Sequence, residues 1–212
     1  MTSCDGRSRP VTFSVVRRPK SGGSEAPREL VSSELVERCK KGDEAAWAEL
    51  VEATHREVYS LCLRILRDPD DAAEATQDAY LKAWRALGAF RGDAMFTTWM
   101  YRVAANSAIS KQRQRKRRRE HEVGTDDELM SQQPSTDSTE ALAGARIELE
   151  AVETALQLLP EHYRAALVLR DVYGLSMDEV SKQLKITETA AKVRVHRGRK
   201  KLKELVTRES DE

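Results

Sequence analysis

The sequence predicts an all-α protein built as two small helical domains joined by a flexible linker. Three observations carry this. Ala, Leu, Glu, Lys and Arg are abundant, aromatics are only 5% and charged residues reach 33%, a balance that favours helix over sheet. Apolar residues recur at three- or four-residue spacing in several separate runs, the period of a helix with one buried face. A polar stretch containing Gly124 and Pro134 interrupts those runs and reads as a linker. The boundaries expected are a tail over 1–33, a helical domain over 34–118, a linker over 119–139, a second helical domain over 140–206 and a short tail over 207–212.

The tail is rich in Ser, Gly, Pro and Arg and reads as disordered. Helical patterning starts near Ser33. Gly42-Asp43 breaks it, and Asp43 suits the N-cap of the next helix. Trp47, Leu50, Thr54, Val58, Leu61 and Ile65 then fall along one face of a long amphipathic helix. Asp68-Pro69-Asp70 ends it and starts another, in which Thr76, Tyr80, Ala83 and Leu87 share a side. Gly88 to Phe96 reads as a loop. A fourth helix is expected from Thr97 into the basic run, with Trp99, Val103 and Ser107 on one stripe.

In the second half, Leu142, Ala145, Leu149, Val152, Leu156 and Leu159 follow a helical repeat. Pro160 closes that helix and suits the first turn of the next. Gly174 is placed to cap its C-terminus.

Several classes are disfavoured by composition. With 212 residues, the chain is large enough for one or two modest cores. No apolar run is long enough to cross a bilayer, and the N-terminus lacks the pattern of a secretory signal, so the reading is a cytoplasmic protein with no membrane insertion of its own. Cys4, Cys39 and Cys62 are not spaced as a metal-binding pair or a disulfide framework; Cys62 reads as a small buried hydrophobe. The four histidines are scattered. No metal, cofactor or catalytic constellation is expected, and the chain is read as a non-enzyme.

Net charge is only +1, but its distribution is uneven. Lys111–Arg119 reads KQRQRKRRR and Lys192–Lys203 reads KVRVHRGRKKLK, neither with an acidic residue. The stretch from Glu120 to Glu153 between them is acidic. Two basic patches suggest two contacts with a polyanion.

The second patch lies in a helix-turn-helix pattern. Ser176-Met177-Asp178-Glu179 fits a capping box, which starts a helix at Met177 running to Leu184. Lys185-Ile186-Thr187 makes a short turn, and Thr187 can cap a helix from Glu188 to about Val206. There Ala191, Val195, Gly198 and Leu202 form an inward stripe, while Lys192, His196, Arg199 and Lys203 form a cationic one. Such a helix can dock on a core and enter a major groove, with later cations gripping phosphates. A solvated basic helix is the plainer alternative.

The first patch follows the aromatics Phe90, Phe96, Trp99 and Tyr101. Bases of melted DNA can stack on such a platform for roughly 1–3 kcal/mol each, whereas duplex DNA hides their faces. The competing expectation is that Phe96 and Trp99 fill a bundle core, which helical spacing favours for Trp99.

DAAEATQDAYLKAWRAL followed by FRGDAMFTTWMYRVAANSAISK resembles region 2 of bacterial RNA polymerase sigma factors, and LPEHYRAALVLRDVYGLSMDEVSKQLKITETAAKVRVHRGRKKL resembles region 4. In its short length the chain is similar to the extracytoplasmic-function (group 4) class of the sigma-70 family. The resemblance covers about 34–118 and 140–206.

It implies that 71–87 docks on the clamp helices of the polymerase beta-prime subunit through Glu74, Gln77, Asp78 and Lys82, with Trp84 at a packing position, and that the second domain meets the beta flap. It implies that the −10 element is opened and read by Phe90, Arg91, Asp93, Phe96, Trp99, Arg102, Asn106, Lys111 and Arg115. The −35 element falls to Thr187, Thr189, Lys192, Arg194, His196, Arg197, Arg199 and Lys200. An anti-sigma factor, possibly membrane-anchored, is the expected inhibitor; the chain ends just past the recognition helix, which favours a separate one. The chain departs from the family at Asp71-Ala72-Ala73-Glu74, often D-A-E-D, at Lys185, usually Gly, and at Thr189-Ala190, often Gly-Thr. The alternatives are a free-standing helix-turn-helix regulator whose N-terminal domain dimerises, and a protein-binding adaptor.

Overall fold

The computed structural model describes residues 31–92, 94–122 and 143–209. Among them all regular structure is helical. The elements are α1 (Ser33–Lys40), α2 (Glu44–Leu66), α3 (Pro69–Ala86), α4 (Phe96–Glu122), α5 (Ala143–Leu158), α6 (Glu161–Leu167), α7 (Met177–Leu184) and α8 (Glu188–Glu209).

Local chemistry sets the first boundaries. Ser32 caps α1 by accepting from the Leu35 N–H, and Asp43 caps α2 by accepting from Ala46 at 3.0 Å, so both N-termini have a partner for an otherwise orphan donor. Gly42 between them has φ +85, a conformation that glycine adopts without penalty. At the α2–α3 corner Arg67 takes the left-handed conformation, φ 61, Asp68 accepts from Asp71, and Pro69 occupies the first turn of α3.

The first core forms where α2, α3 and α4 pack against one another. Leu50, Thr54, Val58, Leu61 and Ile65 are buried on α2, on the expected face; Trp47 is half-buried. Each such aliphatic side chain contributes roughly 1.5–3 kcal/mol on leaving water. Thr54 donates to the Leu50 carbonyl and accepts from the Tyr80 hydroxyl, both at 2.8 Å, so two buried polar groups are satisfied. Burial pushes the Tyr80 phenol up to about 12 and the Cys62 thiol up to about 11, consistent with an inert, core-filling cysteine.

On α4 the buried stripe differs from the expected one. Met100, Ala104 and Ala108, flanked by Tyr101, Ala105 and Ile109, face the core. Ser107 is buried as expected, but Trp99 and Val103 are only half-buried. Alanines let α4 approach α2 and α3 closely, and they carry a weak hydrophobic signal. The helix starts at Phe96, one residue before the expected Thr97, and continues through the basic run to Glu122. Of the expected tail (1–33) residues 1–30, of the expected linker (119–139) residues 123–139, and of the second domain residues 140–142 lie outside the described residues, as do Cys4 and the side chains of Ala145 and Leu149.

The second core gathers α5, α6 and α7 around α8 through Leu156, Leu159, Leu169, Leu175, Val180, Val195 and Leu202. Pro160 is the N-cap of α6, one place before the expected first turn. After Leu167 the chain widens into a π-helical turn, Val168–Val172, before Gly174 reverses it at φ +70. The two bundles also touch: α6 lies on α2 and α7 on α4.

Candidate nucleic-acid and polymerase interfaces

The helix-turn-helix forms as the capping box predicts. The Ser176 N–H donates to Glu179 at 2.7 Å and the Glu179 N–H to the Ser176 hydroxyl at 3.2 Å. Lys185 holds the left-handed conformation, φ 54, which explains why a glycine suits this turn. The Thr187 hydroxyl accepts from the Ala190 N–H and caps α8. Ala191, Val195, Gly198 and Leu202 all face inward. A Cβ on Gly198 would meet the Leu167 side chain at 3.1 Å and Tyr163 at 3.3 Å, so the absent side chain is what lets α8 seat on α6.

The outer face of α8 is cationic and open. Thr187, Thr189, Lys192, His196, Arg197, Arg199 and Lys200 are exposed, and Arg194 is half-buried. Two are engaged by acids: Lys192 pairs with Glu188 at 2.8 Å, and Arg199 makes a two-pronged contact with Asp171 at 2.9 and 2.5 Å. Val193, absent from the expected set, stands 43% exposed beside Lys192 on this face. An exposed valine amid cations is suited to apolar contact with a thymine methyl.

Three of the four expected aromatics meet. Phe90, Phe96 and Trp99 have ring centroids 5.3–5.7 Å apart; Phe96 is buried beneath the half-buried Phe90 and Trp99. By burial the two residues differ, Phe96 lying in the core and Trp99 only half-buried. Tyr101 does not join them. It is buried on another side of α4, edge-on to Tyr173 at 4.9 Å, because two residues along a helix turn the side chain through about 200°. Arg91 and Asn106 are exposed; Asp93 lies outside the described residues. Arg102 pairs with Glu179, Lys111 with Asp71 and Glu74, and Arg115 with Asp71 at 3.1 Å and Glu161 at 3.3 Å. These pairings had no signal in the sequence.

The outer face of α3 exposes Glu74, Gln77, Asp78 and Lys82. Lys82 donates to Ser107 at 3.0 Å. Leu81 and Trp84, 51% and 41% exposed, stand beside them. They border an open groove of about 720 Å³ lined also by Trp47, Val51, Tyr59 and Tyr80. An apolar groove with a polar rim is the usual form of a protein-docking surface. Leu81 was missed because it lies outside the buried stripe of its helix.

Comparison with known proteins decides the family. Residues 50–118 match the model of Sigma-70 region 2 and residues 149–202 that of Sigma-70, region 4. The RNA polymerase sigma-H factor of Pseudomonas aeruginosa is 36% identical over 171 residues, covering 78% of this chain and 89% of that protein. The ECF RNA polymerase sigma factor SigW of Bacillus subtilis is 32% identical, with 82% and 96% covered.

The chain belongs to the extracytoplasmic-function class of the sigma-70 family.

As a sigma factor it directs promoter-specific transcription. Its fold is also that of two solved structures. One is CnrH bound to the cytosolic domain of CnrY, with TM-score 0.51, 23% identity, and 82% of this chain and 96% of that one covered. The other is RpoE bound to the anti-sigma factor NepR from Bartonella quintana, with TM-score 0.56, 22% identity, and 76% and 96% covered.

Proposed function

We propose that promoter recognition by this sigma factor is divided between its two bundles. The observation that carries this reading is the contrast between two surfaces on one chain. The outer face of α8 is cationic and exposed, and a helix fits a major groove, whereas the half-buried Phe90 and Trp99 gather around Phe96 at the start of a basic helix.

Lys192, Val193, His196 and Arg197 read base edges of the −35 duplex, and Arg194 and Lys200 hold phosphates. Thr187 and Thr189 set the entry of α8. Arg91, Trp99, Arg102 and Asn106 capture the melted −10 strand, with Lys111 and Arg115 along its backbone; Asp93 belongs to the same loop. Phe96 supports Trp99 from below. Arg199 is a positioning residue, since Asp171 holds both of its prongs.

The α3 face, with Glu74, Gln77, Asp78 and Lys82 around Leu81 and Trp84, docks on the beta-prime clamp helices, and the second bundle meets the beta flap. The domain limits 34–118 and 140–206 go with this assignment. Holding both DNA contacts on one polymerase turns two weak affinities into one effective one. No chemical step is assigned to the chain, which works in the cytoplasm beside the polymerase. The structure of RpoE with the anti-sigma factor NepR supports control of this chain by an anti-sigma factor.

The test is reconstituted transcription. Purified chain plus core polymerase should yield transcripts starting at defined genomic sites, and Trp84→Ala should abolish them while leaving duplex binding intact. Tight sequence-specific duplex binding with no polymerase-dependent transcript would favour the free-standing regulator instead.

A further inference from the structure

A row of rings runs along the groove between α2 and α3. Trp47 stands edge-on to Trp84 at 4.9 Å and to Tyr80 at 6.3 Å, and His55 lies parallel to Tyr80 and Tyr59 at 6.4 and 6.2 Å. Val51 and Leu81 complete the lining, so two of the chain's three tryptophans face one open surface. On the α2 rim Glu44 and Glu52 are exposed, and among the described residues no cation pairs with either. The nearby cations are Arg56 and Lys82, and Lys82 is already engaged by Asp78 and Ser107.

The chain carries matching chemistry outside the described residues. Residues 11–16 read VTFSVV, and residues 6–24 hold Arg7, Arg9, Arg17, Arg18 and Lys20 with no acid among them. Val11, Phe13 and Val15 alternate with Thr12 and Ser14, so an extended backbone sets three apolar side chains on one side. The described chain begins at Val31, which is buried just ahead of α1, and α1 packs on α2. The residues between 16 and 31 span at most about 50 Å. That exceeds the roughly 35 Å length of α2, so the whole groove lies within reach.

We propose that residues 11–16 of the same chain seat in the α2–α3 groove, with Phe13 against the rings and the flanking arginines toward Glu44 and Glu52, and compete there with the polymerase. The second half rests on Leu81 and Trp84 being polymerase contacts. An extended peptide with alternate side chains in pockets is a recurring mode of recognition, and arginines beside tryptophans add cation–π attraction. A second copy carries the same segment, but the tether favours the chain's own. A short tether supplies an effective concentration on the order of 1 mM, which fills the groove in about nine chains of ten even at an intrinsic Kd of about 0.1 mM.

The test places the photo-crosslinking residue p-benzoylphenylalanine at position 13 of the full chain and maps the products by mass spectrometry. The expected product joins position 13 to the α2 or α3 segment bearing Val51 or Leu81, within one chain. Adding Val11→Asp and Val15→Asp, which lie outside both bundles, should remove it. Products between two chains, or spread evenly over both bundles, overturn docking within the chain. A second measurement titrates core polymerase. Phe13→Asp is expected to tighten its binding by about tenfold, because an affinity is divided by the fraction of chains that are free to bind, and Trp84→Ala should weaken it. If the crosslink forms and Trp84→Ala weakens binding, yet Phe13→Asp leaves the affinity unchanged, the competition is overturned. If Trp84→Ala leaves polymerase binding unchanged, the polymerase reading of the α3 face fails, and with it the competition, while the crosslink still decides docking.

Discussion

Arg164 on α6 donates to the carbonyl of Ile65 at the end of α2, 3.2 Å away and 99 residues earlier in the chain, and to the Leu159 carbonyl at 2.8 Å. Its side chain is buried, and no carboxylate sits on it in those bonds. Burial first, then the neighbouring Arg67, pulls its guanidinium down to about 10. One residue thus closes the α5–α6 corner and ties it to the other bundle. Arg164→Leu leaves two carbonyls without donors, a loss of about 2–3 kcal/mol. Urea unfolding of the full chain checks it; a change below about 0.5 kcal/mol would mean that the carbonyls find other partners.

Gly198→Ala sets helix propensity against packing. Alanine gains about 1 kcal/mol in a helix interior, but its Cβ would press the Leu167 side chain at 3.1 Å, and overpacking of this kind costs about 1–3 kcal/mol. The net expectation is a lower melting temperature. A higher one would show that Leu167 yields freely.

Phe96 and Trp99 should separate stability from function. Phe96 is buried and Trp99 half-buried in one cluster. Phe96→Ala is expected to lose about 3–5 kcal/mol of stability. Trp99→Ala should keep a near-normal unfolding curve yet impair promoter opening, read by permanganate reactivity of melted thymines. Equal stability losses would return Trp99 to the core.

Arg197 and Arg199 lie two residues apart on α8, both exposed, but only Arg199 is held by Asp171. Arg197→Ala should weaken −35 duplex binding by about 1–3 kcal/mol if it reads a base edge. Arg199→Ala should alter affinity less and leave the slope of binding against salt nearly unchanged, since a cation already neutralised releases few counterions. A salt slope shallower by about 1 for Arg199→Ala would place it on a phosphate.

Glu179 makes stability depend on pH. Burial raises its pKa, but the Ser176 donors and then Arg102 outweigh that and hold the carboxyl below its ordinary range. As pH falls, the unfolded chain takes up this proton first. The stabilisation is therefore full above the ordinary carboxylate range and is lost as pH falls through the depressed value. Glu179→Gln should flatten the stability profile between about pH 5 and pH 3. An unaltered profile would mean that other carboxylates carry the acid sensitivity.

Much of this was legible in the residues. Asp43, Asp68, Ser176 and Thr187 announce helix starts through short-range bonds that depend on few neighbours, and the stripes on α2 and α8 bury as their spacing requires. What stayed hidden depends on distance or on small side chains. The core face of α4 is written largely in alanine, whose hydrophobicity scarcely exceeds that of its surroundings, so the eye is drawn to Trp99 and Val103 instead. The π-helical turn at Val168–Val172, VLRDV, holds no Gly or Pro to mark it. The pairing of Arg102 with Glu179 spans 77 residues, and in a chain with 35 acidic residues nothing local singles out that partner. Of the candidate surfaces, residue type and position along each helix were readable; which cations already have a partner was not.

Finally, α4 is a single helix of 27 residues, about 40 Å long at 1.5 Å per residue. Its first turn bears Phe96 and Trp99, its middle bears the contacts to the second bundle, and its far end leads toward the connecting segment. A force applied at that far end is therefore delivered to the aromatic end by a stiff lever, with no break in the helix along the way to absorb the stroke.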